Sequence, residues 1–178
     1  MKMLKKLLAV VLTGAMALTL LTACGSNAVT EKDIADAMND MAKAAEEDIT
    51  FTPRAKEREM AKAIAALSDE DLKELEESLK NSSLPEKAKE ILGINAGGAN
   101  ANNFVWCGAT YTDELGTSGQ ALNFMTQVMD KSANADKLRG KNPADDRYMG
   151  TALCKIPDQK DNLVTVRVIV VTAKAEDE

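Results

Sequence analysis

Between Leu163 and Thr172 the chain reads LVTVRVIVVT, a run in which both alternating sets of side chains are largely apolar. Val164, Val166, Val168 and Val170 fall on one face. Leu163, Ile169 and Val171 fall on the other, interrupted by Thr165 and Arg167. A strand repeats every two residues, so one that is apolar on nearly both faces must be covered on both. Tyr148 to Ile156 reads as the strand before it, joined through the turn-rich stretch Pro157 to Asn162. Phe104 to Tyr111 (FVWCGATY) reads as a third, with Gly108 marking a bulge or a close backbone approach. Thr117-Ser-Gly-Gln120 resembles a capping box opening a helix that carries Leu122, Met125, Val128 and Met129. Lys131 to Arg147 is polar and loop-like. The fold class expected is α+β, with N-terminal helices followed by an antiparallel sheet packed with helices.

The first half reads as helical throughout residues 30–92. Thr30 is placed as N-cap with Asp33 at the third position, and Ile34, Met38, Met41 and Ala45 follow at helical spacing. Ile49 to Thr52 breaks the pattern, and Thr52-Pro53 restarts it with proline at the first helical position. Met60, Ile64 and Leu67 form the next apolar stripe. Ser68 to Asp71 caps a third helix with Leu72, Leu75 and Leu79, and Ser83-Leu-Pro-Glu86 is a capping box for a short helix ending at Leu92-Gly93. Gly93 to Asn103 (GINAGGANANN) is a loop or hinge.

The N-terminus is an address. Lys2, Lys5 and Lys6 precede Leu7 to Leu21, a run of signal-peptide length and too short for a spanning helix. It ends in Leu21-Thr22-Ala23-Cys24, which resembles the bacterial lipobox. In that family the cysteine thiol is acylated and the leader is cut at the cysteine. Several acyl chains hold firmly where one holds marginally, since each buried methylene adds roughly 0.8 kcal/mol. The competing reading is an ordinary secretory signal with a cysteine at its cleavage site. The organisation expected is a signal peptide over 1–23, a tether over 24–30, a helical region over 31–92 and a linker over 93–103. An α+β region over 104–174 shares one domain with the helices, and 175–178 is an acidic tail. The location expected is extracytoplasmic, lipid-anchored through Cys24 to the membrane of a Gram-positive bacterium.

Removal of Lys2, Lys5 and Lys6 with the leader takes the formal charge from −6 to −9. One Trp, two Tyr and three Phe accompany that acidity, which excludes nucleic acid as a natural partner. Export leaves two readings for the remaining cysteines, Cys107 and Cys154: a disulfide closing a long loop, or two buried thiols.

Histidine is absent. Every His-dependent triad, relay and zinc site goes with it. No serine is followed by lysine at the Ser-x-x-Lys spacing, no phosphate-binding glycine loop occurs, and the acidic pattern at Asn134-Ala-Asp136 fails as a calcium loop at Leu138. Glu46-Glu47-Asp48, Asp69 to Asp71 and Asp145-Asp146 read as solvated charge runs rather than a catalytic pair. Trp106 reads as core rather than a ligand platform. No catalytic residue, metal ligand or cofactor site is expected.

From Phe104 to Val171 the order of elements resembles the CAP or SCP-like domain. Gly116 and Ser118 stand for its turn, Ala121-Leu-Asn-Phe-Met125 for its helix, and Met129-Asp-Lys-Ser132, Asn134 and Leu138 for its loop. Tyr148-Met-Gly-Thr-Ala152 and Val164 to Val171 stand for its last strands. The resemblance implies an α-β-α sandwich. It also implies a cation site that is dead here, because Asn134 and Ala135 stand near an expected histidine and the family's glutamate near Val105 and Trp106 is missing. Relatives of that type are associated with sterol or lipid binding and protein contacts. The function expected is therefore a non-catalytic, membrane-anchored lipoprotein binding a small apolar or lipid ligand or a protein partner. Met38, Met41, Met60, Met125 and Met129 would line an apolar groove, or else simply fill the core. The alternatives are an envelope interaction module without a small ligand, and a hydrolase working with carboxylates alone.

Overall fold

The computed structural model describes residues 29–72, 74, 84–112, 115–129, 132–157 and 162–177. Strands β1 (Thr50–Pro53), β2 (Asn103–Tyr111), β3 (Lys141–Pro157) and β4 (Leu163–Asp177) form one sheet in the order β1-β3-β4-β2. The Val-rich strand β4 lies inside, antiparallel to β3 on one side and to β2 on the other. β1 extends the far edge of β3 in parallel.

Both faces of β4 are covered, as its two apolar sets require. On one face, α1 (Glu31–Ala44), α4 (Thr117–Asn123) and the π-helical turn Phe124–Val128 pack over Phe51, Phe104, Trp106, Met149, Ile169 and Val171. On the other, α2 (Ala55–Ala65) and α3 (Glu86–Leu92) bring Met60, Ile64, Ala88 and Leu92 onto Val105, Cys107, Val168 and Val170. The result is an α+β fold built as an α-β-α sandwich, and each core draws residues from both halves of the chain. α2 comes so close that a Cβ on Gly150 would collide with the backbone of Glu57 and Arg58. Glycine there sets how deeply the helix sits.

The α1 boundary matches its sequence signal: Asp33 donates its backbone N–H to Thr30 Oγ1 at 3.2 Å, and Thr30 returns its own to Asp33 Oδ2 at 2.8 Å. Ser68 caps the helical turn that begins at Asp69, accepting from the Asp71 backbone at 3.2 Å. α3 ends at Gly93, whose φ of 65° is left-handed.

Other expectations are corrected. Residues 50–53 are a strand, not the entry to a helix, so Pro53 ends β1 and α2 begins only at Ala55. Proline is tolerated there because β1 is an edge. Pro85, not Ser83, is the N-cap of α3, and no side chain caps it; Ser83 lies outside the described residues. α4 likewise starts from Gly116 without a capping box. β2 runs through Gly108 in unbroken register with Ile169. The irregularity falls instead between Pro143 and Arg147 of β3. That strand reaches back to Lys141 through the polar stretch expected to be a loop, and its partner β4 continues through Ala175 to Asp177, expected to be an acidic tail.

Part of each of the sheet's two outer edges is satisfied by the same device. On β1, Asn39 accepts from the Phe51 N–H at 2.6 Å and donates to the Phe51 carbonyl at 3.1 Å. On β2, Asn134 accepts from the Val105 N–H at 3.2 Å and donates to the Asn103 carbonyl at 2.6 Å, while Ala133 donates to the Val105 carbonyl. A carboxamide carries one acceptor and two donors, so it occupies the place of a neighbouring strand. Unpaired edges invite other chains to add to the sheet.

Candidate functional site

A heavily bonded polar cluster lies where the described chain enters the domain. Arg167 interrupts the apolar face of β4 under α1 and α4 and is only 6% exposed. Its guanidinium donates to Gln120 Oε1 at 2.8 Å, to Thr151 Oγ1 at 3.2 Å and to the Val29 carbonyl at 2.6 Å. Gln120, itself buried, donates onward to the Leu115 carbonyl at 2.8 Å. The Thr151 N–H donates to Glu31 Oε2 at 2.7 Å, and Glu31 pairs with Arg58 at 2.6 Å. Burial pulls the Arg167 pKa down, while the field of Glu31 and Asp33 opposes that shift. A charge in this position needs every donor matched, and here each guanidinium nitrogen has a partner. The cluster is a clamp on the backbone of Val29. The tether read over 24–30 is thus already docked at Val29 and Thr30.

A second buried guanidinium is set differently. Arg147, also 6% exposed, lies 5.0 Å from the Trp106 ring centroid and 5.9 Å from that of Phe51. Its buried Nε has no hydrogen-bond partner. Burial pushes its pKa down to about 10, against the pull of Asp145 and Glu47. Aromatic faces stabilise the cation without satisfying the N–H.

On the opposite face of the sheet Glu57 is fully buried and paired with Arg54. Arg54 Nε donates to Glu57 Oε2 at 2.6 Å, and Thr172 donates to Glu57 Oε1 at 2.7 Å. Arg54 also stacks 3.8 Å above the Tyr148 ring. Burial alone would raise the Glu57 pKa, but the bonds from Arg54 and Thr172 outweigh it and hold the carboxyl below its ordinary value.

No family model, no curated protein and no solved structure matches this chain.

Cys24 lies outside the described residues. Cys107 and Cys154 are both free, so the disulfide left open by the sequence is not formed. Both face the α2–α3 layer, but β4 runs between their strands, with Cys107 opposite Val170 and Cys154 opposite Val166. Two strand spacings and four residues put their Cα atoms roughly 16 Å apart by ladder geometry, well beyond the ~7 Å a disulfide spans. Burial pushes the Cys107 thiol up to about 12, and burial together with nearby Asp69 raises that of Cys154. Neither is poised as a nucleophile.

The five methionines do not come together. Met38 and Met125 are in the core under α1, with Met41 and Met129 at its border, whereas Met60 is on the other side of the sheet. Asn134, which the CAP-like reading placed near a lost ligand, is taken up by the β2 edge. Val105 and Trp106 are buried on opposite faces. Among the described residues no group of three or more Cys, Asp or Glu could hold a metal ion, and no described helix is long and apolar enough to cross a membrane. The sequence reading missed Arg54, Glu57 and Arg147 as buried groups. Arg167 carried a signal, because a charge in a strand apolar on both faces must find partners inside.

Proposed function

We propose that the chain is a membrane-tethered extracytoplasmic lipoprotein whose domain is a non-catalytic binding module for a protein partner in the cell envelope. The observation that carries this reading is the Arg167 clamp on Val29, five positions after the cysteine of the lipobox-like Leu21-Thr22-Ala23-Cys24. A domain fastened directly behind an acylation motif is built to be held at a surface. Three features support a holding role over a chemical one. Among the described residues, the carboxylates with shifted pKa, Asp33, Glu57, Asp71 and Glu86, are displaced downward, the wrong direction for a general acid. Among the described residues, the buried Cys107 and Arg147 are packed against apolar and aromatic side chains, and Arg167 is spent on the clamp. The positions that resemble a CAP-type cation site hold Asn134 and Ala135. The methionines fill two separate cores, which favours a protein partner over a small apolar ligand.

The test has two parts. Cell fractionation of the natural chain against Cys24→Ala, with a clickable fatty-acid label, should show label and membrane retention in the first and neither in the second. A natural chain that is released unlabelled overturns the lipoprotein reading. A native mass spectrum of the Cys24→Ala protein, exported under an unrelated signal, should give the bare chain. Extra mass that disappears on denaturation would transfer the binding role to a small ligand.

A further inference from the structure

A guanidinium carries five N–H donors, and among the described residues that of Arg147 makes no hydrogen bond and no ion pair. The residue is nevertheless only 6% exposed. Its Nε is sealed from solvent. The two terminal nitrogens, equally unpartnered, keep the little surface that the guanidinium has. A buried cation without partners costs stability, and an apolar side chain in its place is often neutral or favourable. Arg167 in the same sheet shows the contrast, since Gln120, Thr151 and the Val29 carbonyl match its nitrogens.

The fold holds this unmatched group in place. Arg147 pairs with Phe51 on β1 and with Ala173 on β4, and Ala173 pairs in turn with Phe104 on β2. The methyl of Ala173 is small enough for the arginine to cross β4 toward Trp106, whose ring stacks on Phe104. Phe51 and Trp106 then flank the guanidinium and offer it no acceptor. Glu47 and Asp145 act on its charge, yet neither closes on it. Glu47 is half-buried, its N–H tied to the Ala42 carbonyl at 3.1 Å behind Glu46, whose φ is 58°. Asp145 is exposed in the irregular stretch of β3. The two acids limit what the open nitrogens accept. A terminal arginine fork matches two oxygens of one carboxylate, phosphate or sulfate. A doubly charged anion would enter against twice the repulsion that a singly charged one meets.

We infer that the terminal nitrogens of Arg147 are a binding site for a small, singly charged carboxylate, with Phe51 and Trp106 fixing the fork that receives it. This goes beyond the function proposed above. It uses only groups of the folded domain and does not depend on the lipid anchor.

The test uses the full chain in detergent at neutral pH. Trp106 is the reporter, because it is the only tryptophan and lies against the guanidinium. Acetate and sulfate are each titrated in exchange for chloride at constant ionic strength. Acetate should change the Trp106 emission saturably, with half-effect at about 1–10 mM, within reach of a ligand of four heavy atoms. Sulfate should bind about tenfold more weakly. Arg147→Met should abolish the response with the far-ultraviolet dichroism unchanged. Arg147→Lys, which keeps the charge without the fork, should weaken acetate about tenfold, and it carries the comparison should Arg147→Met fold poorly. No saturable response in the natural chain, or an unaltered one in Arg147→Met, overturns the site. Acetate held as well by Arg147→Lys overturns the fork, and sulfate held as tightly as acetate overturns the singly charged carboxylate as its ligand.

Discussion

Two buried charges on opposite faces of one sheet show how much the partner decides. Arg147 has aromatic rings and an orphaned Nε, whereas Glu57 has a guanidinium and a hydroxyl on its carboxylate. The Glu57 carboxyl is held below its unfolded value, so its ionised form favours the folded state. That contribution is complete above the unfolded pKa, about 4.5, and is lost as pH falls through the lower folded value. In urea unfolding between pH 3 and 7, the natural chain should therefore lose stability below about pH 4.5 more steeply than Glu57→Gln. At pH 7 the substitution should cost about 3 kcal/mol, toward the low end for a broken buried pair because Arg54 is partly exposed. Identical pH slopes would mean that Glu57 does not ionise as the geometry requires. Neither residue was legible beforehand. Glu57 sits in the run Lys56-Glu-Arg-Glu59, which reads as a solvated helix face, and Arg147 closes a polar stretch. Their burial comes from where α2 and β3 meet the sheet, and no local spacing records that.

Elements with their own periodicity were legible; elements defined by a neighbour were not. β4 carries a ten-residue apolar pattern and α1 a complete capping box, and both appear where the pattern puts them. β1 has four residues and exists because β3 offers it an open ladder. The first part of β3 is hidden for the same reason, since Lys141 to Pro143 have a strand's backbone only by pairing with Ala175 to Asp177. The edge asparagines belong to this class: Asn39 is one polar residue on a helix, and Asn134 one of several in a loop. Replacing Asn134 by Ala removes two hydrogen bonds from the β2 edge and leaves the Val105 N–H unpaired in a buried position. The expected loss is about 2–3 kcal/mol in chemical denaturation. The opened edge should also make sedimentation velocity concentration-dependent, as β2 becomes a template for a second chain. A variant that is as stable and as monomeric as the natural chain would show that Ala133 and the remaining loop close the edge without the carboxamide.

At the scale of the molecule, the character of the chain changes near Gly93, where the sequence predicts a loop or hinge inside a single domain. The packing removes the hinge. Asn100 in that loop is buried, donating to the Leu92 carbonyl at 2.8 Å and accepting from Lys56 at 2.7 Å, so the glycine-rich stretch is stitched to α2 and α3. Leu92 and Ile64 from the first half share a core with Cys107 and Val170 from the second. Two stretches that bury one core between them fold together or not at all. Leu92→Ala therefore tests the whole molecule from its helical half. The cavity should cost about 2–5 kcal/mol, which for a chain of this size lowers the midpoint by on the order of 10 °C. The reporter is Cys107 in the Cys24→Ala chain, after the more accessible Cys154 has been blocked in the native state. If the halves are one unit, the far-ultraviolet dichroism and the reactivity of Cys107 move together to the lower temperature. A helical half that melted alone would shift the dichroism of the helices and leave the Cys107 thiol protected on β2. The shared core predicts the first result, because removing Leu92 takes contacts from the strand that holds Cys107 as directly as from α3.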